Sequence, residues 1–208
     1  MKSSRFSQWL AICLLVVLSA CGSGEPSQQL APLGQDAIIL AFGDSLTYGT
    51  GANHQTESYP AVLAQLSGKT VINAGVPGEV SGEGLSRLKS LLNEHQPELV
   101  LLCHGGNDLL RKLDTDVLKD NLRQMIHLIR EQGAQVVMLS VPKPGVFLKA
   151  APLYQELAST QQVLLDNETI TDIESQSSLK SDPIHPNAEG YRQLAEKLHQ
   201  LLDRVGAF

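Results

Sequence analysis

Cysteine is scarce: the 208 residues hold three, Cys13, Cys21 and Cys103. The first two belong to an N-terminal segment set apart by its composition. Cys103 therefore has no partner in the body of the chain, and no internal disulfide can staple it. It closes the apolar run Leu99-Val100-Leu101-Leu102 and reads as a buried strand residue that packs as a small hydrophobe. Clustered basic residues are missing too. Sixteen Lys and Arg stand against 22 Asp and Glu, a formal net charge of −6, which disfavours a nucleic-acid partner. His54, His95, His127 and His199 fall on loops or polar helix faces without the spacing of metal ligands, so neither a metal nor another cofactor is expected. No Gly-x-Ser-x-Gly turn occurs, which speaks against the ordinary nucleophile elbow. Gly68-Lys69-Thr70 ends like a phosphate loop, but Leu63 stands where the first glycine belongs and a strand follows where a helix should.

The one long apolar run lies at the start. Lys2 and Arg5 precede ten apolar residues, Trp9 to Leu18, too short to span a bilayer as a stable helix and consistent with a secretory signal. Leu18-Ser19-Ala20-Cys21 resembles a bacterial lipobox. The expectation is a lipoprotein signal peptide over 1–20 and a lipidated Cys21 as the first mature residue, anchored firmly in a membrane by its acyl chains. Gly22, in place of Asp, implies the outer membrane of a Gram-negative bacterium by resemblance to lipoprotein sorting there, with the protein on the periplasmic face. The rest of 21–36 is small, polar and non-periodic, as expected of a flexible tether. Residues 37–208 suit one domain with a full-sized core.

In that domain short apolar runs rich in Val, Ile and Leu alternate with helical stripes. Strands are expected at 37–42, 70–74, 98–103, 135–141 and, weakly, 162–165, each with the continuous apolarity of a sheet buried on both faces. Ser58 can cap a helix through Leu66. Leu85, Leu88, Leu91 and Leu92 mark another over 84–95. Asp114 can cap 115–131, and Asn187 can cap 188–205. Right-handed crossovers turn this order into a three-layer α/β/α sandwich around a flavodoxin-like parallel sheet of about five strands. Residues 145–181 are weakly patterned.

Sites in such folds lie at the carboxyl ends of strands, and four polar motifs bear on that rim. Gly43-Asp44-Ser45-Leu46 ends the first strand. Asn73-Ala74-Gly75-Val76-Pro77-Gly78 ends the second, and Gly105-Gly106-Asn107-Asp108 follows the third. Asp182-Pro183-Ile184-His185-Pro186 precedes the last helix. A serine at a strand end is held by backbone, as a nucleophile must be. A histidine can take its proton, and a carboxylate three residues earlier can orient the ring. Asp44 and Asp108 read as loop-ordering residues, and His104 as a packed, hydrogen-bonded histidine.

Together these four blocks, from about Ile38 to Tyr191, resemble the SGNH/GDSL hydrolase family. The stretch Gly105 to Arg111 looks most like its bacterial acyl-thioesterase, lysophospholipase and arylesterase branch. The resemblance implies a serine-dependent ester or thioester hydrolase with Ser45, Asp182 and His185 as the triad. It implies an oxyanion hole made by Ser45, Gly78 and Asn107, with Gly78 preferred to Gly75 by its spacing after Asn73. The implied partner is a small acyl or aryl ester. A carbohydrate O-deacetylase uses the same site chemistry and stands as the first alternative. A non-catalytic lipoprotein that binds lipids or glycans is the other, and the intact Ser45, Asn107, Asp182 and His185 set argues against it.

Overall fold

The computed structural model describes residues 29–208 apart from Val146. The expected signal peptide and Cys21 lie outside the described residues. Five parallel strands form the central sheet: β1 (Ile38–Gly43), β2 (Thr70–Gly75), β3 (Leu99–Cys103), β4 (Gln135–Leu139) and β5 (Leu164–Asp166), in the order 2-1-3-4-5. Gly43 is level with both Gly75 and Cys103, so these strands end together on one rim. β3 is buried along its whole length, as is β1 beyond Ile38, whereas the edge strand β2 is half-exposed. This is why Ala41-Phe42 and Leu99 to Cys103 read as unbroken apolar runs.

Eight helices complete the layers. α1 (Ser45–Tyr48) and α4 (Gly106–Leu110) are single turns that follow β1 and β3. The long ones are α2 (Tyr59–Ser67), α3 (Ser81–His95), α5 (Thr115–Glu131), α6 (Pro152–Gln161) and α8 (Ala188–Arg204), with the short α7 (Thr169–Glu174) before the last. α2 packs on α8, and α3 on α5, one pair for each face of the sheet. The stripe Leu118, Leu122, Ile126, Ile129 on α5 is fully buried, as is Tyr191, Leu194 and Leu198 on α8. Ser58, Asp114 and Asn187 cap α2, α5 and α8 as expected.

Two expectations need correction, and the weakly patterned 145–181, where a strand was expected at 162–165, proves to hold more structure than that strand. Residues 30–36 are not a free tether. The Leu30 and Leu33 N–H groups donate to Val205 and Ala207 carbonyls, each at 2.9 Å. Leu33 is buried in the core, so two leucines dock a stretch that composition marked as linker. Helix α3 starts at Ser81 rather than Gly84, because Asp108 reaches across to hold the first residue of the helix. The weakly patterned 145–181 holds real structure: the end of a small hairpin pairing Pro142–Lys143 with Lys149–Ala150, then α6, β5 and α7.

Candidate active site

Strand order reverses between β1 and β3, and a doubly wound sheet opens a crevice at that switch point. Ser45 comes from the end of β1 and Asn107 from the end of β3, so both stand on this crevice. The close approach is made possible by glycine: a Cβ on Gly43 would lie 2.0 Å from the Cys103 carbonyl oxygen. Asp44 then caps α1. Its Oδ1 accepts the Leu46 N–H at 3.1 Å. The cap leaves Ser45 as the first residue of the helix, with its own N–H beyond the reach of any intrahelical carbonyl. Asp44 itself is buried, and burial pushes its carboxyl above the ordinary value while the Leu46 amide pulls the other way. It orders the loop, as read from sequence.

Across the crevice, the Ser45 hydroxyl lies 3.0 Å from His185 Nε2. His185 Nδ1 lies 2.7 Å from Asp182 Oδ2. The second carboxylate oxygen, Oδ1, accepts the backbone N–H groups of Ile184 and His185, both at 2.9 Å. Partial burial pushes Asp182 up, but the His185 ring and the two amides outweigh it and hold the carboxyl below its ordinary value. An ionised Asp182 requires the proton on Nδ1 and leaves the Nε2 lone pair for the Ser45 hydroxyl. The turn is clamped at both ends. Ser181 N–H donates to the His185 carbonyl at 2.9 Å, and Asn187 donates to the Ser178 carbonyl at 2.9 Å while capping α8.

The Asn107 amide donates to the Glu79 carbonyl at 3.0 Å and, more weakly, to Asp44 Oδ2 at 3.4 Å. The first bond fixes the plane of the amide. The second is long enough for that N–H to turn onto a developing oxyanion. Gly78 adopts φ +81°, a region glycine enters freely, and its carbonyl accepts from Arg111 at 2.7 Å. It adjoins Glu79 and does not line the cavity beside Ser45. That cavity, about 80 Å³, is lined by Ser45, Asn107 and His185 together with Leu46, Leu110, Val141, Pro142, Pro144, Leu148, Pro183 and Ile184. Asp44 and Glu174 complete the wall.

Sequence reasoning missed the support beneath this floor. Arg87 on α3 donates to both oxygens of Glu79 at 2.6 Å, and to the Ala74 and Gly43 carbonyls at 2.9 and 3.2 Å. Its guanidinium lies 4.3 Å from the Phe42 ring centroid. One planar fork thus ties the ends of β1 and β2 to the residue that holds Asn107. Buried His104 completes the group. Its Nδ1 accepts the Gly105 N–H at 2.9 Å, and its Nε2 faces Glu79 at 3.0 Å. Accepting at Nδ1 occupies the only basic lone pair, so His104 is a neutral donor to Glu79 and not a second base. Asp108 departs from expectation: it accepts from the Ser81 N–H at 2.8 Å and the Ser81 hydroxyl at 2.6 Å, so it orders α3 instead of its own loop. No signal in the single sequence marks these partners, because Glu79 lies in the loop before α3, eight residues from Arg87 and outside the spacing of a helical pair.

A hydroxyl, an imidazole and a carboxylate in line, beside an amide donor at the switch point of a doubly wound sheet, have the arrangement of a serine-type hydrolase. Comparison with known proteins is specific. The chain belongs to the GDSL-like lipase/acylhydrolase family, whose profile matches residues 41–193, and it is an ester hydrolase of that family. It is 34% identical over 175 residues to an arylesterase of Vibrio mimicus, covering 79% of this chain and 87% of that protein. It is 29% identical over 166 residues to thioesterase 1/protease 1/lysophospholipase L1 of Escherichia coli K12, covering 76% of this chain and 79% of that one. Among solved structures, TesA superposes with a TM-score of 0.74 at 27% identity, covering 81% of this chain and 99% of its own. The psychrotrophic esterase EstA from Pseudoalteromonas, inhibited by monoethylphosphonate, gives 0.72 at 26% identity, covering 81% and 98%.

Proposed function

We propose that this chain cleaves esters of short acyl groups, aryl esters among them, from the periplasmic face of a Gram-negative outer membrane, held there by lipid on Cys21. Ser45 is the nucleophile, His185 the base and Asp182 the orienting acid. Ser45 Oγ attacks the acyl carbonyl while His185 Nε2 takes its proton. The carbonyl oxygen becomes an oxyanion and is met by the Ser45 N–H and the Asn107 amide, with the Gly78 N–H as the third donor that the family resemblance implies from outside the cavity. His185 then returns the proton to the departing alcohol or thiol, leaving an acyl group on Ser45. Water repeats the sequence and frees the acid. Thioesters follow the same steps, with a thiol as the leaving group.

The carrying observation is the unbroken relay from Asp182 through His185 to Ser45, at 2.7 and 3.0 Å. The short acyl preference rests on the size of the cavity, about 80 Å³. A space of that size beside the nucleophile suits a short acyl chain better than a long one. The relatives named arylesterase and esterase, one of them inhibited by a phosphonate, support the ester-hydrolase part of this reading.

The test is hydrolysis of p-nitrophenyl esters of graded acyl length by the wild type and Ser45→Ala. Activity should peak at short acyl groups, and the variant should lose both turnover and fluorophosphonate labelling. Full labelling of Ser45→Ala would remove Ser45 as nucleophile, and a maximum at long chains would overturn the short-acyl assignment. Acetylated xylan in the same series decides whether a glycan acetyl ester is the better substrate.

A further inference from the structure

Glu174, at the end of α7, is a carboxyl group in an unusual position. Only 4% of the residue is exposed; no described residue hydrogen-bonds its side chain, and its oxygens are not among the buried polar atoms shut off from solvent, so the carboxyl meets solvent through the cavity it lines. It lines the cavity that holds Ser45, Asn107 and His185, where most of the other side chains are aliphatic or proline. A polar group that meets solvent only through a mostly apolar cavity loses that solvent when a substrate fills the cavity, and then needs a hydrogen-bond partner on the substrate. The few polar groups in such a lining fix the orientation and choice of ligand.

We propose that the Glu174 carboxyl, in the wall of the cavity beside Ser45, is a specificity-determining donor that hydrogen-bonds an uncharged oxygen within the acyl group of the substrate. The acyl group in question is a short one bearing an ether, hydroxyl or keto oxygen, preferred over an all-methylene chain of equal length. This rests on the ester-hydrolase reading of the Ser45 site and deepens it. The small, mostly aliphatic cavity beside Ser45 is the part of the site that suits a short acyl chain, and Glu174 lies in its wall.

The charged neighbours agree with the neutral form. Burial is the main cause that raises Glu174, to about 8, and the Asp44 and Asp182 carboxylates add to it, while Lys180 alone opposes them. Below that pH the group offers an O–H. Above it a second lone-pair-rich carboxylate faces the same cavity as Asp44, and it can no longer donate to an ether oxygen. His185 also lines the cavity, but its titration alters the turnover of every ester alike and cancels in a ratio of two substrates.

The experiment compares kcat/KM for p-nitrophenyl methoxyacetate and p-nitrophenyl butyrate, which differ by one ether oxygen in place of a methylene. Intrinsic reactivity differs between the two esters, so the quantity read is the methoxyacetate-to-butyrate ratio of the wild type divided by that of Glu174→Leu. One neutral hydrogen bond predicts a quotient of roughly three to ten at pH 6.5. Glu174→Gln, which keeps a donor, should hold the wild-type ratio. Between pH 7 and 9 the wild-type ratio should fall towards that of the leucine variant as Glu174 ionises, while the ratio of the glutamine variant stays flat. A quotient near one, or a wild-type ratio that does not move with pH, overturns the proposal. The glutamine variant and the wild-type pH series decide the matter even where leucine impairs folding. Failure of the wild type on both esters would instead count against the ester-hydrolase reading itself.

Discussion

Asp182→Asn tests the relay at the point where the geometry is most restrictive. Asp182 Oδ1 accepts two backbone N–H groups, from Ile184 and His185, both at 2.9 Å. In the asparagine variant the side-chain oxygen must stay in that position, since an NH₂ cannot accept. The amide nitrogen then falls where Oδ2 stood, 2.7 Å from His185 Nδ1. Two donors cannot face each other, so Nδ1 gives up its proton and accepts. The imidazole proton moves to Nε2, which faces the Ser45 hydroxyl at 3.0 Å. A protonated Nε2 cannot take the Ser45 proton. The side chain is in place and the tautomer is wrong.

The expected loss in kcat is on the order of 10⁴, as when the triad aspartate of a serine protease becomes asparagine. That corresponds to about 5–6 kcal/mol of activation free energy. Stability should hardly change, because both turn bonds survive and the hydrogen bond at His185 Nδ1 is kept with its direction reversed. Burst and steady-state kinetics on p-nitrophenyl acetate, with melting temperatures beside them, separate the two effects. A loss below about tenfold would refute the tautomer argument. A large loss accompanied by a large fall in melting temperature would move Asp182 from the relay to the scaffold.

Asn107→Ala should lower kcat by about 10²–10³ with little change in KM, because the amide meets the oxygen only as it becomes negative; unchanged kcat in steady-state assays would remove it from the oxyanion hole. Cys21→Ser should shift the protein from the membrane to the soluble fraction without altering kcat/KM on soluble esters, since the docked residues 30–36 meet the chain near Val205 and Ala207 and not at the rim; a protein still membrane-bound after the change would refute the lipid anchor.

The sheet and the relay were legible because each leaves a local mark. A strand buried on both faces is an apolar run, and a nucleophile or base held by backbone sits in a short turn of restricted composition, Gly43-Asp44-Ser45 or Asp182-Pro183-Ile184-His185. What was not legible has no local mark. Glu79 and Arg87 look like a solvated pair until the fold brings the Gly43 and Ala74 carbonyls to the same guanidinium. Glu174 sits in α7, of six residues with one acid after another, Asp172 and Glu174, and only tertiary packing buries the second. Leu30-Ala31-Pro32-Leu33 is an apolar stretch too short to show a period and lies between polar residues, so composition hid a segment whose backbone pairs with the C-terminal end. The α3 start was missed for a related reason: its cap, Asp108, lies 27 residues away.

The site is assembled from two separately braced pieces. The floor carries Ser45 and Asn107 on adjacent strands, tied by Arg87, Glu79 and His104. The other piece is the turn from Lys180 to Asn187, closed on itself by the Ser181–His185 bond and the Lys180–Pro186 bridge. Catalysis needs these two pieces in register to within a few tenths of an ångström. The register has a visible source in α8 and the segment after α1. Tyr191 donates to the Thr50 carbonyl at 2.9 Å, and Gly51 abuts the turn so closely that a Cβ there would lie 2.2 Å from the Ser181 hydroxyl. Neither tie passes through α6, the hairpin or α7. Val141, Pro142, Pro144, Leu148 and Glu174, which line the cavity, therefore lie beside the relay without carrying it. Substrate choice can change at these positions while the distance from His185 to Ser45 stays where the floor and α8 set it.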